Sequence, residues 1–83
     1  MNTINENEIS CCIRKSIGKY LSDLDGEKPC PIHNMVILSV EKPLIEVILQ
    51  YTHGNQTQAA ELLGINRNTL RQKIKRYQIK QGI

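Results

Sequence analysis

Residues 54–77 read GNQTQAAELLGINRNTLRQKIKRY, and the fold turns on how this stretch is read. Asn55 is a strong helix N-cap, and Gln58 three residues on completes a capping box. A short helix then reaches Leu63. Gly64 makes the turn, and Asn66 caps a last helix running to about Tyr77, with Leu70, Ile74 and Tyr77 facing inward. Ala59 and Ala60 are small enough for the two helices to cross closely, while Leu63, Ile65, Leu70 and Ile74 fix the crossing angle. Two short helices, a small-residue crossing and a glycine turn have the layout of a helix-turn-helix. The outward face of the second helix carries Arg67, Asn68, Arg71 and Lys75. Such a helix fits the DNA major groove, with its first residues at base edges and its flanks at phosphates. Lys75, turned toward the flank, suits a phosphate. A basic hairpin without a ligand is the plainer alternative, but caps, turn and charge all agree on the first reading.

Upstream, a second helix is expected from Pro31 or Ile32 to about Tyr51, a rod of ~30 Å. Pro31 suits the first helical position, where its missing N–H costs nothing. The segment is apolar on more than one face, through Ile32, Met35, Val36, Ile37, Leu38, Val40, Leu44, Ile45, Val47, Ile48 and Leu49. A helix apolar nearly all round must be buried nearly all round. One partner helix cannot cover it, whereas the same helix from a second chain can. Pro43 removes one helical hydrogen bond, and because the apolar pattern runs through it we read a kink rather than a break. His53-Gly54 ends this helix, with Gly54 free to take the left-handed cap conformation. Ahead of it, Ile9, Ile13, Ile17, Tyr20, Leu21 and Leu24 form one stripe of a first helix from about Glu8 to Leu24. Asn5 and Glu8 suit its N-terminal capping box, and Asp25-Gly26 its stop.

Composition points the same way. The chain has 83 residues, 40% of them hydrophobic, with twelve Ile and eight Leu but no Trp, no Phe and three Tyr. Aliphatic residues suit helix-on-helix packing, whereas single-strand readers stack bases on aromatic platforms. Burial in so short a chain only about cancels an ordering cost of roughly 1.5 kcal/mol per residue, which again favours a homodimer. The net charge of +3 is divided unequally. Residues 1–52 carry five Lys/Arg and seven Asp/Glu, giving −2, and residues 53–83 carry six Lys/Arg and one Glu, giving +5. A basic third on a slightly acidic body is the footprint of a polyanion binder. The N-terminus shows no secretory signal and no apolar run reaches the ~20 residues of a membrane span, so a cytoplasmic location and no membrane partner are expected.

The segment EKPLIEVILQYTHGNQTQAAELLGINRNTLRQKIKRY (residues 41–77) resembles the C-terminal part of the Fis family of bacterial nucleoid-associated proteins. The likeness runs without gaps from about Ile9 to Tyr77 and is strongest in QYTHGNQTQAAELLGINRNTLR. A related helix-turn-helix ends the enhancer-binding activators of the nitrogen-regulatory type, after a large ATPase domain that is absent here; the freestanding length favours Fis. The resemblance implies an all-α, four-helix homodimer with intertwined long helices kinked at Pro43. It implies a cytoplasmic, nucleoid-associated transcription regulator that bends double-stranded DNA, with RNA polymerase as a further partner. The recognition helices would be set closer than one DNA turn, so that sequence is sensed partly through deformability. Matched by position, Asn55 and Thr57 correspond to phosphate contacts. Asn66, Arg67, Thr69, Arg71 and Lys73 correspond to recognition-helix contacts, with Arg67 reading a guanine near each end of the site. Gln58 and Gln72 stand where the family usually has basic residues, and His53 where it often has Arg, which implies weaker affinity or an altered phosphate pattern. The family's N-terminal β-hairpin arm has no room here, so its recombinase-activating role is not carried over.

The expected organisation is thus a single domain over residues 1–83, with dimerisation helices in 8–52 and the helix-turn-helix in 54–77. Other chemistry is poorly provided for. Cys30-x-x-His33 has half of a zinc-ligand spacing and no second pair, so no metal or cofactor is expected. Cys11 and Cys12 point in different directions on a helix, cannot easily bridge each other, and are expected as free thiols acting as buried small hydrophobes. At the start of the hairpin His53 suits either a phosphate contact or a solvated loop. No nucleophile–base pair or phosphate loop suggests an enzyme. The alternatives to a Fis-type regulator are a local regulator with few sites and a dimeric module that binds an acidic protein.

Overall fold

The computed structural model describes residues 6–80, with side chains from residue 8 onward. Four helices follow one another: α1 (Glu6–Asp23), α2 (Ile32–Tyr51), α3 (Gln56–Leu63) and α4 (Arg67–Arg76). Among the described residues there is no strand, so the all-α, four-helix expectation holds. The chain divides into two compact units after Ile32.

The first unit holds α1 and the loop that follows. Ile13, Ile17, Tyr20 and Leu24 are half-buried along the expected stripe, while Ile9 and Leu21 are exposed. Asp25 and Gly26 both take positive φ, which stops the helix as read. Asn5, one half of the expected Asn5–Glu8 box, lies outside the described residues. The Tyr20 hydroxyl lies 3.2 Å from the Cys30 sulfur and accepts the Cys30 N–H at 3.3 Å, tying the loop back to α1. The bond to Cys30 holds the Tyr20 phenol above its usual range. One expectation fails: Cys11 and Cys12, free thiols, are exposed rather than buried. They lie off the apolar stripe of α1, and among the described residues of this unit no second helix covers them.

The second unit is built on α2. Pro43 lies inside one continuous helix from Ile32 to Tyr51, in keeping with the continuous apolar pattern. Ile45 and Leu49 are buried, and they join Ala59, Ala60, Leu70, Ile74 and Ile79 in one aliphatic core. Ile48, Leu63, Ile65 and Tyr77 pack against its edge. Thr52 is buried as well, its hydroxyl donating to the Leu49 carbonyl at 3.3 Å. The core thus takes only one stripe of α2. A second stripe, formed by Ile37, Val40, Leu44, Val47 and Tyr51, stays exposed, from 41% at Val40 to 75% at Tyr51. Its spacing of three and four residues is that of a coiled-coil seam. Among the described residues no helix is long and apolar enough to cross a membrane.

Candidate nucleic-acid interface

Three successive helix ends shape the hairpin, and each closes with the same pair of backbone bonds. At the end of α2, His53 takes φ 54° and Gly54 φ 82°. The His53 N–H donates to Gln50 at 3.2 Å and the Gly54 N–H to Leu49 at 2.8 Å. The left-handed residue that starts this turn is His53, with Gly54 left-handed beside it, so a side chain sits where glycine is the usual choice. At the end of α3, Gly64 has φ 74°; its N–H donates to Glu61 and that of Ile65 to Ala60. At the end of α4, Gln78 has φ 53°, and the Ile79 N–H reaches back to Ile74 at 3.0 Å. Each closure uses carbonyls that a helix end leaves orphaned. The last one folds Ile79 under α4 into the core.

The helix starts are as specific. Asn55 is extended, and its side chain accepts the Gln58 N–H at 3.0 Å. The Asn55 N–H itself donates to the Thr52 carbonyl at 3.0 Å. That bond couples the α3 cap directly to the end of α2. Asn66 caps α4 by accepting the Asn68 N–H at 2.7 Å. Between the two caps, α3 and α4 cross over Ala59 and Leu70, both fully buried. A side chain larger than alanine at position 59 would compete with Leu70 for that crossing.

Leu70 and Ile74 point inward, so helical geometry sends the opposite face of α4 outward. Asn55, Thr57, Asn66, Arg67, Thr69, Arg71 and Lys75 are all exposed. Arg71 and Lys75 line one open hollow with Gln56, Asn68, Gln72 and Ile74, about 460 Å³ in volume. The hollow is therefore walled by two cations and three carboxamides, at the seam between the start of α3 and the outer face of α4. Arg76 lies with its guanidinium 5.9 Å from the centre of the Tyr77 ring.

Lys73, grouped above with the recognition-helix contacts, lies elsewhere. Its ammonium is 3.0 Å from each carboxylate oxygen of Glu41 on α2, with side chains 26% and 25% exposed. The Tyr77 hydroxyl donates to the same carboxylate. That hydroxyl, followed by the Lys73 ammonium, holds the Glu41 carboxyl below its usual range, and the carboxylate in turn holds the Tyr77 phenol above its own. Glu41, Lys73 and Tyr77 form a polar clamp across α2 and α4. Sequence reading does not find it, because Glu41 lies 32 and 36 residues from its two partners and no local period links them to it. Among the described residues no three His, Cys, Asp or Glu side chains gather into a group able to hold a metal ion.

A capped, short two-helix hairpin with a glycine turn and a cationic outer face defines a helix-turn-helix protein. The comparisons with known proteins narrow this. Residues 38–77 match the model of the bacterial regulatory proteins of the Fis family. A Fis-like DNA-binding protein of Ralstonia nicotianae is 45% identical over 74 residues, 89% of this chain and 96% of its own length. The DNA-binding protein Fis of Psychromonas ingrahamii is 43% identical over 89% of this chain and 75% of its own. A Fis-like DNA-binding protein of Neisseria meningitidis is 46% identical over 81% and 85%. The chain belongs to the Fis family.

Proposed function

We propose that this protein is a homodimeric, sequence-preferring DNA-binding and DNA-bending protein that acts as a nucleoid-associated transcription regulator. The observation that carries the reading is the outer face of α4: Arg67, Arg71 and Lys75 exposed beside exposed amides, on a helix capped at both ends and backed by a buried aliphatic core. Cations aimed at phosphates supply affinity, and side chains in the first turn read base edges. The related chains are named as DNA-binding proteins, which supports the same ligand.

The proposed contact set is Asn55 and Thr57 at phosphates, Asn66, Arg67, Thr69 and Arg71 at the groove, and Lys75 at the flanking backbone. Lys73 holds α4 against α2 through Glu41 and is left out of this set. The dimer rests on the exposed stripe from Ile37 to Tyr51. Five large side chains repeating every three and four residues are a seam without a partner, and a second copy of α2 is the surface that matches it. In that dimer the two α4 helices present themselves to one face of a duplex. Set closer than one DNA turn, as the family resemblance implies, they engage both half-sites only on bent DNA, at a deformation cost of order 1–6 kcal/mol.

A gel shift with duplexes carrying the site at permuted positions reads binding and bending together. Mobility should be lowest with the site at the centre of the fragment. Position-independent mobility would exclude bending, and no shifted band at low salt would exclude the DNA-binding reading.

A further inference from the structure

The hollow on the hairpin has one feature that phosphate binding leaves unused. Asn68 follows Arg67 in the first turn of α4, its N–H held by the Asn66 cap at 2.7 Å. This is the turn whose side chains reach base edges when a recognition helix enters the major groove. Its side chain is exposed, and Gln72, one helical turn on, is exposed on the same wall of the same hollow. Residues four apart on a helix are neighbours. Two neutral carboxamides therefore stand beside Arg71 and Lys75.

Their chemistry decides what they suit. A phosphate offers only acceptors, so a carboxamide meets it with one N–H and wastes its carbonyl, and a cation does better. In the major groove, adenine alone pairs an N7 acceptor with an N6 donor on one edge, and an Asn or Gln carboxamide matches both at once. We propose that Asn68 and Gln72 form an adenine-reading pair, which gives each half-site a preference for A·T beside the guanine taken by Arg67. This rests on the DNA-binding reading above and adds two bases to it.

The test is selection from a pool of duplexes with a randomised core, using the full chain, followed by titration of the selected site. Wild type should enrich adenine at two positions per half-site, one for each carboxamide, and replacing either base pair should weaken binding roughly tenfold per half-site, as for a good bidentate pair. Asn68→Ala should abolish the enrichment at one of them and Gln72→Ala at the other. 7-Deazaadenine at the position lost in Asn68→Ala removes the N7 acceptor; it should weaken wild type and leave Asn68→Ala unaffected. No adenine enrichment, enrichment unchanged in either Asn68→Ala or Gln72→Ala, or indifference of wild type to 7-deazaadenine would overturn the pair while leaving DNA binding standing. Failure of wild type to retain any duplex would overturn both.

Discussion

Two lysines two residues apart on α4 should behave in opposite ways when each is replaced by alanine. Lys75 is exposed and lines the open hollow, whereas Lys73 is three-quarters buried with its ammonium on Glu41. Each phosphate neutralised by a protein cation contributes ~0.9 to the slope of log affinity against log salt. A symmetric dimer loses two such contacts in Lys75→Ala, so the slope should shrink by roughly 1.8. Over a fourfold rise in salt, that makes the variant's loss of affinity roughly tenfold smaller than wild type's. Cognate and random duplexes should respond alike, since a phosphate carries no sequence information. Stability should be unchanged. Lys73→Ala should instead leave the slope nearly untouched and cost about 1 kcal/mol of stability, because an ion pair a quarter exposed lies between a surface pair and a buried charged hydrogen bond. Binding titrations at four or five salt concentrations and urea unfolding of each variant measure both quantities. A large slope change in Lys73→Ala with normal stability, or a silent Lys75→Ala, would refute this orientation of α4.

Glu41→Gln should destabilise the protein at neutral pH by about 1–2 kcal/mol, since it removes the charge from a carboxylate that accepts two bonds. The folded-state carboxyl lies below the ordinary 4.5, so its stabilisation is complete above that value and is lost as pH falls through the folded-state value. Urea unfolding of wild type and variant from pH 7 downward should show a difference that narrows only below pH 4.5; a difference independent of pH would remove the charge from the explanation. Leu70→Ala opens a cavity at a fully buried crossing and should cost about 2–5 kcal/mol in the same assay, whereas a loss under about 1 kcal/mol would mean that α3 and α4 do not close over Leu70. Val47→Glu puts a charge in the middle of the exposed seam of α2. Sedimentation should find it monomeric at concentrations where wild type is dimeric, and melting of wild type, but not of the variant, should rise with concentration.

The elements most legible in the sequence are those marked by local chemistry. Asn55, Gly64 and Asn66 have side-chain or backbone properties that act within three residues, so α3 and α4 can be bounded without tertiary information. The continuous helix through Pro43 is legible because its apolar residues resume on the same faces beyond the proline. What escapes is either long-range or carried by an unusual residue. The Glu41–Lys73–Tyr77 clamp joins two helices through polar side chains, and polarity on α4 reads as ligand-facing until the helix is rotated against its neighbour. Ile79 enters the core because Gln78 takes the left-handed conformation that glycine usually supplies. With no glycine to mark the turn, the pairing of Ile74 with the apolar residue five positions on is the one available signal. Cys11 and Cys12 read as core because cysteine is usually buried, yet they lie off the stripe of α1 and are exposed.

A dimer that presents both α4 helices to one face of a duplex requires two chains for each duplex bound. Sedimentation equilibrium of the protein mixed with a short site-bearing duplex, at a salt concentration that permits binding, measures this directly. The expected result is a complex of two chains and one duplex, formed without a detectable species of one chain per duplex. A saturated complex containing a single chain, or protein and duplex sedimenting independently, would contradict it.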